Sequence, residues 1–107
     1  MTVSPGAAEE AERRVTHVAL RGDLDLAGAP RAGQDLAAAL AGGAAAVVVH
    51  LEDVAFIDSS GLRMLLTASD AADRRGIDLR ILPGPAAIMA VVEAAALGGR
   101  LPFVGWP

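Results

Sequence analysis

Hydrophobic and polar positions change rhythm several times along the chain, and each change marks an element. Val15 to Leu20 carries apolar residues on both parities, Val15 and then Val18 and Leu20, with His17 between them. It reads as a strand that runs into Arg21-Gly22-Asp23-Leu24-Asp25, a polar end with Gly22 as breaker. Pro30 then stands at the first position of a helix in which Ala32, Leu36, Ala39 and Leu40 recur at helical spacing, and Gly42-Gly43 stops it. Ala44 to Leu51 is a continuous apolar run centred on Val47-Val48-Val49. Bounded by glycine and by Glu52-Asp53, it reads as a strand buried on both faces.

Phe56-Ile57-Asp58-Ser59-Ser60-Gly61 leads into a second helix. Leu62, Leu65, Leu66, Ser69 and Ala72 fall on one stripe of it, and Arg63, Thr67, Asp70 and Arg74 on the opposite one. Ser59 or Ser60 is placed to cap its start, and Gly76 to end it. Ile77, Leu79 and Ile81 alternate with Asp78 and Arg80, which predicts another strand. Pro85 opens a third helix through Leu97, with Ile88, Val91, Val92 and Ala95 inward and Gly98-Gly99 closing it. Phe103-Val104 is a candidate last short strand. The order β-α-β-α-β-α favours a mixed, mostly parallel sheet with right-handed crossovers. The expectation is a single α/β domain with four or five strands and three or four helices on the faces of the sheet.

Composition narrows the function classes. At 107 residues there is room for one core but not for a core plus a deep substrate cleft. Net charge is −4, so a basic nucleic-acid footprint is absent and no direct nucleic-acid partner is expected. With no cysteine, disulfides and thiolate metal sites are excluded. Met1 to Pro5 lacks the basic and apolar regions of a signal peptide, and the uncharged stretch Ile81 to Val92 is broken by Pro83, Gly84 and Pro85. A cytoplasmic protein without a membrane partner is therefore expected. His17 and His50, the two histidines, each fall in a predicted strand without metal-ligand spacing. No metal or other cofactor is expected. Met64 and Met89 read as packing residues, and Trp106 either covers apolar surface or touches a partner.

The segment from His50 to Leu66 holds the chemistry. A buried strand, a short acidic loop and then Asp58-Ser59-Ser60-Gly61 at a helix start is the arrangement of STAS domains. Arg21-Gly22-Asp23-Leu24-Asp25-Leu26 resembles that family's Gly-(Glu/Asp)-Leu-Asp turn, and Ile88 to Val104 resembles its last helix and strand. The resemblance runs over residues 15–104, and the two motifs at their usual separation make it specific. A first strand is usual in the family, whereas Pro5 to Arg14 has little β character. Residues 1–14 are therefore expected as an N-terminal arm or edge strand, and residues 15–107 as the STAS-like domain.

In the anti-sigma-factor antagonist branch, the first serine after the motif's aspartate is phosphorylated. By position that is Ser59, with Asp58 the preceding aspartate and Ser60 and Gly61 the residues that follow. The resemblance implies partner switching. The unmodified domain would bind an anti-sigma factor that is itself a serine kinase of the GHKL type, and phosphorylation would release it. A metal-dependent serine phosphatase would reset the switch. Asp23, Asp25, Asp58, Ser59, Ser60, Gly61 and Arg63 are the expected partner-facing residues, with Gly61 letting a partner backbone approach closely. Independently of the family, phosphate at a helix N-terminus adds about −1.5 to −2 charges where backbone N–H groups tolerate them. A hydrolase is disfavoured, since Ser59 is not in Gly-x-Ser-x-Gly and no histidine is near a serine-rich turn. The same fold also serves as a subunit of stressosomes and of lipid-transport ATPase complexes, which is the alternative reading.

Overall fold

A computed structural model describes residues 14–106. Three strands and three helices alternate along them: β1 (Val15–Leu24), α1 (Ala29–Ala41), β2 (Ala46–Ile57), α2 (Ser59–Arg75), β3 (Asp78–Leu82) and α3 (Ala86–Ala94). The sheet order is β1-β2-β3, and both pairings are parallel. A single parallel bridge from Phe103 to Ile81 extends the sheet beyond β3, where Val104 N–H donates to the Ile81 carbonyl at 2.9 Å. Phe103-Val104 thus adds one rung rather than a full strand. The expected arm or edge strand at the N-terminus lies outside the described residues, apart from Arg14.

The sheet is covered on one side by the described residues. Val47, Val49, Leu51, Leu79 and Ile81 are buried, whereas Val48 and His50 are half-buried and His17 and Arg80 exposed. Among the described residues, neither β2 nor the sheet is therefore sandwiched between helices. The cause is topological. Strands laid down in consecutive order through right-handed crossovers place every connecting helix on the same face. α1, α2 and α3 accordingly share one core with that face, through Leu36 and Leu40, Leu62 and Leu65, and Ile88, Met89 and Val92.

β1 and β2 are longer than the hydrophobic pattern predicts. β1 runs through Gly22 to Leu24, and β2 runs through Glu52-Asp53 to Ile57. The β1–β2 register slips between Ala19 and Arg21 and again between Gly22 and Asp23, each time with one extra residue on β2. These bulges turn the strict alternation Val47, Val49, Leu51 into the wider spacing Leu51, Val54, Ile57, so buried positions continue past the two acidic residues.

α2 keeps the expected polar stripe, with Arg63, Thr67, Asp70 and Arg74 exposed. Its inward stripe is centred on Leu62, Leu65, Ala68 and Ala72, and Leu66 is only half-buried. Gly76 takes the left-handed conformation at φ 68°, and its N–H donates to the carbonyls of Ala72 and Asp73. α3 stops at Ala94 rather than Leu97, which leaves Ala95 exposed instead of inward. Ala96 takes φ 58° just beyond it. Trp106 is half-buried against the core.

Candidate functional site

The C-terminal ends of β1 and β2 meet where α1 and α2 begin. Ile57 is buried as the last residue of β2 and fixes the direction in which the chain leaves the sheet. Asp58 follows in an extended conformation and is tied down three times. Its N–H donates to the Leu24 carbonyl at 3.3 Å, its carbonyl accepts from Leu62 N–H at 3.0 Å, and its carboxylate accepts from Ser60 N–H at 2.8 Å. Asp58 is therefore the N-cap of α2, not Ser59 or Ser60. A carboxylate suits that position because it satisfies an orphan donor and its charge opposes the helix dipole.

Capping by Asp58 frees Ser59. It occupies the first helical position and is exposed, whereas Ser60 is half-buried. Arg63 is exposed one turn on, along the same side of α2 as Ser60.

Gly61 has a different role from the expected one. It is buried, and a Cβ there would press on the Leu24 carbonyl oxygen while lying 2.7 Å from Ile57 Cγ1 and 2.8 Å from Leu24 Cβ. The close approach that requires glycine is made by the protein's own β1. Gly61 seats α2 on the sheet and is not a point of approach for a partner.

The two remaining carboxylates divide. Asp25 Oδ1 accepts from Ala27 N–H at 3.1 Å and from Gly28 N–H at 2.8 Å, and the Asp25 carbonyl accepts from Ala29 N–H at 2.8 Å. It builds the β1–α1 turn, as aspartates in such turns do. Asp23 is exposed and pairs in register with Phe56, itself 48% exposed. Thus Asp58, Ser59, Ser60 and Arg63 come together at the start of α2, Asp25 is committed to the β1–α1 turn, and Asp23 lies at the sheet end.

Sequence reasoning did not single out the apolar part of this region. A groove of about 390 Å³ runs between α1 and α2, with Leu26, Pro30, Met64 and Ala71 among its apolar walls and Ser60 and Arg63 contributing polar atoms. Leu26 is 80% exposed, the most open large apolar side chain among the described residues. Its signal was present: a leucine in an Asp-Leu-Ala-Gly turn has no core to enter.

A family model described as "Mlab, STAS domain" matches residues 7–104. Solved structures of similar fold include the anti-sigma factor antagonist SpoIIAA in its unphosphorylated form. It is 18% identical, with a TM-score of 0.69 over 86% of this chain and 79% of that one. They also include an anti-sigma factor antagonist from Mycobacterium paratuberculosis, 22% identical, with a TM-score of 0.76 over 87% of this chain and 79% of that one. No curated protein matches.

Proposed function

Because the chain belongs to the STAS-domain family, we propose that it is an anti-sigma-factor antagonist, a binding module rather than an enzyme, switched by phosphorylation of Ser59. In its unmodified form it binds an anti-sigma factor that is a GHKL-type serine kinase, in the cytoplasm, and so frees a sigma factor. Phosphorylation releases the kinase, and a metal-dependent serine phosphatase restores the unmodified form. The observation that carries this reading is the position of Ser59: exposed at the first residue of α2, with the capping duty taken by Asp58. A serine needed as the cap would have its oxygen committed to the backbone. Ser59 has no such commitment, and its neighbourhood supplies what a protein contact needs. Leu26 and the α1–α2 groove offer apolar area, Arg63 a cation, and Asp23, exposed near the end of β1, a carboxylate.

The energetics of release follow from charge on a contact surface. A phosphate about 7 Å from one partner carboxylate, at an effective dielectric of ~20, costs roughly 2 kcal/mol per unit charge. With nearly two charges the loss reaches roughly 3–5 kcal/mol, a few hundred-fold or more in affinity. The host helix accepts the same charge because its N-terminus is electropositive.

The test is phosphosite mapping after incubation with a cognate kinase and ATP, followed by titration calorimetry of both forms at one salt concentration. One phosphate on Ser59 is expected, and Ser59→Ala should resist modification and hold the kinase persistently. Equal kinase affinity for the modified and unmodified forms refutes the switch.

A second reading is a STAS subunit of a stressosome or of a lipid-transport ATPase complex. The apolar lining of the α1–α2 groove favours it, because a permanent partner's helix would fill that groove without any modification. Sedimentation of the native complex distinguishes the two, since a permanent subunit stays in a large assembly whether or not Ser59 is modified.

A further inference from the structure

The face of the sheet that the described residues leave open, away from the three helices, carries both histidines in direct contact. His17 on β1 pairs in register with Val48 and His50 on β2 with Ala19, which sets the imidazoles on a diagonal across the two strands. His17 Nδ1 lies 2.8 Å from His50 Nε2, and the ring centroids are 5.1 Å apart at an interplanar angle of 41°. On the far side of His50, Nδ1 lies 3.3 Å from Glu52 Oε1. Strand residues 50 and 52 would share a face in any regular strand, but 17 and 50 meet only because the parallel register brings them together.

We propose that His17 and His50 form a two-imidazole site for a divalent transition-metal ion that favours tetragonal coordination, Cu²⁺ or Ni²⁺. Three observations carry it. First, Glu52 is placed to orient His50. With Glu52 accepting the Nδ1 proton, the Nε2 lone pair faces His17, which is how second-shell carboxylates orient metal-binding histidines. With that lone pair accepting, His17 Nδ1–H donates the 2.8 Å hydrogen bond in the metal-free pair, and an ion takes the place of this proton when His17 carries its single proton on Nε2 instead.

Second, the two nitrogens are close enough to share one ion. Two cis ligands about 2.0 Å from an ion at a right angle stand about 2.8 Å apart, whereas a tetrahedral ion separates them by roughly 3.3 Å. The 2.8 Å contact is the hydrogen bond of the metal-free pair; it puts both nitrogens within a small ring turn of either geometry, and with two imidazoles from the protein the affinity order of the ions favours Cu²⁺. Each ring must turn so that its lone pair points at the ion rather than at the other nitrogen. His17 is exposed and the His50 side chain is 25% exposed, so the turn requires no repacking of the core.

Third, the local charge permits a cation. Arg80, which pairs in register with Val48 beside the two rings, is held by Asp78 at 3.1 Å, and Glu52 adds a negative charge next to His50. No group of three or more His, Cys, Asp or Glu side chains able to hold a metal occurs among the described residues. The protein thus supplies two ligands, and water or an incoming donor completes the shell. The pair lies on the face opposite the helices, so loading it leaves Ser59 and the α1–α2 groove unchanged.

The test is titration of the full chain with CuCl₂, NiCl₂, ZnCl₂ and MgCl₂ in a non-chelating buffer, with Cu²⁺ electron paramagnetic resonance of the loaded protein. One equivalent of Cu²⁺ should bind, with Ni²⁺ and Zn²⁺ weaker and Mg²⁺ silent. The copper spectrum should be axial with coupling to two nitrogens. His17→Ala and His50→Ala should each weaken Cu²⁺ at least tenfold and remove one nitrogen coupling, with unchanged circular dichroism. Glu52→Gln should weaken binding by up to about tenfold while keeping both couplings, because it orients a ligand without being one. Copper affinity and spectrum that persist in the double variant His17→Ala/His50→Ala overturn the proposal, as does tighter binding of Zn²⁺ than of Cu²⁺.

Discussion

Replacing Gly61 by alanine probes how α2 is seated on the sheet. In a helix open to solvent the change stabilises by up to about 1 kcal/mol, because alanine is the better helix former. At Gly61 the sign reverses. The added Cβ would stand 2.7 Å from Ile57 Cγ1 and 2.8 Å from Leu24 Cβ, besides pressing on the Leu24 carbonyl oxygen. Carbon atoms pack best at about 3.5–4.0 Å, so most of an ångström must be found. Leu24 and Ile57 are each only 2% exposed, and the oxygen belongs to backbone held in β1, so none of the three can rotate aside. The response left is to lift the first turn of α2. That stretches the hydrogen bond from Asp58 N–H to the Leu24 carbonyl, which is already 3.3 Å long. Overpacking costs about 1–3 kcal/mol and a weakened hydrogen bond up to about 1 kcal/mol more, against the helix gain. The net expectation is a loss of about 1–3 kcal/mol, or a fall in Tm of roughly 4–8 °C per kcal/mol for a domain of this size. Gly33→Ala in α1 is the control. Its Cβ would meet only Met64 Cγ, at 3.2 Å, and a flexible methionine gives way, so this variant should be neutral or stabilised by up to ~1 kcal/mol. Urea midpoints and thermal melts followed by circular dichroism measure both. A Gly61→Ala protein that melts at or above the parent, or below which Gly33→Ala falls, refutes the seating described here.

Asp58→Ala should cost about 0.5–2 kcal/mol through loss of the cap, and Asp58→Asn clearly less, as read from denaturant midpoints. Leu65→Ala should cost about 2–5 kcal/mol, and the half-buried Leu66→Ala less; the reverse ranking in urea would put the helix phase one residue out. Arg63→Ala, on the exposed side, should stay within about 0.5 kcal/mol of the parent. Ala96→Gly should raise stability by roughly 0.5–1 kcal/mol, because Ala96 holds a left-handed φ of 58° that glycine adopts without steric cost. A Tm that falls on that change would count against the turn after α3.

The element order was legible because aliphatic residues recur with clear periods and glycines punctuate them. Gly42 and Gly76 end α1 and α2 where the pattern placed the stops. The ends of β1 and β2 were not legible, since a bulge keeps a strand going through residues that look like a loop. In the sequence Glu52 and Asp53 bound a buried run, yet the extra residues on β2 carry them outward and return Val54 and Ile57 to the core. One-sided coverage was hidden for a related reason. Val47-Val48-Val49 reads as buried throughout, but Val48 belongs to the face the described helices leave open. Around Ser59, the motif did not reveal the division of labour among its neighbours. That division depends on Leu24, distant in sequence, whose carbonyl fixes Asp58 and whose side chain fills the space that Gly61 leaves.

This division explains how a charge at Ser59 can change a surface without disturbing the fold. Neighbours of Ser59 couple the start of α2 to the sheet. Asp58 supplies the backbone link to β1 and the cap, Gly61 the close approach, and Leu62 and Leu65 the apolar anchor. Ser59 itself is exposed at the first helical position. A substituent on its oxygen therefore meets solvent, the N-terminal end of a helix dipole that favours negative charge, and whatever docks alongside. Of these only the docked surface is penalised, by repulsion and by desolvation of the new charge. A serine at the cap position would behave differently, because its oxygen would be an acceptor for the helix backbone and modification would unseat the first turn. Placing aspartate at the cap and serine one residue later separates the group that holds the helix from the group that the proposed switch would modify.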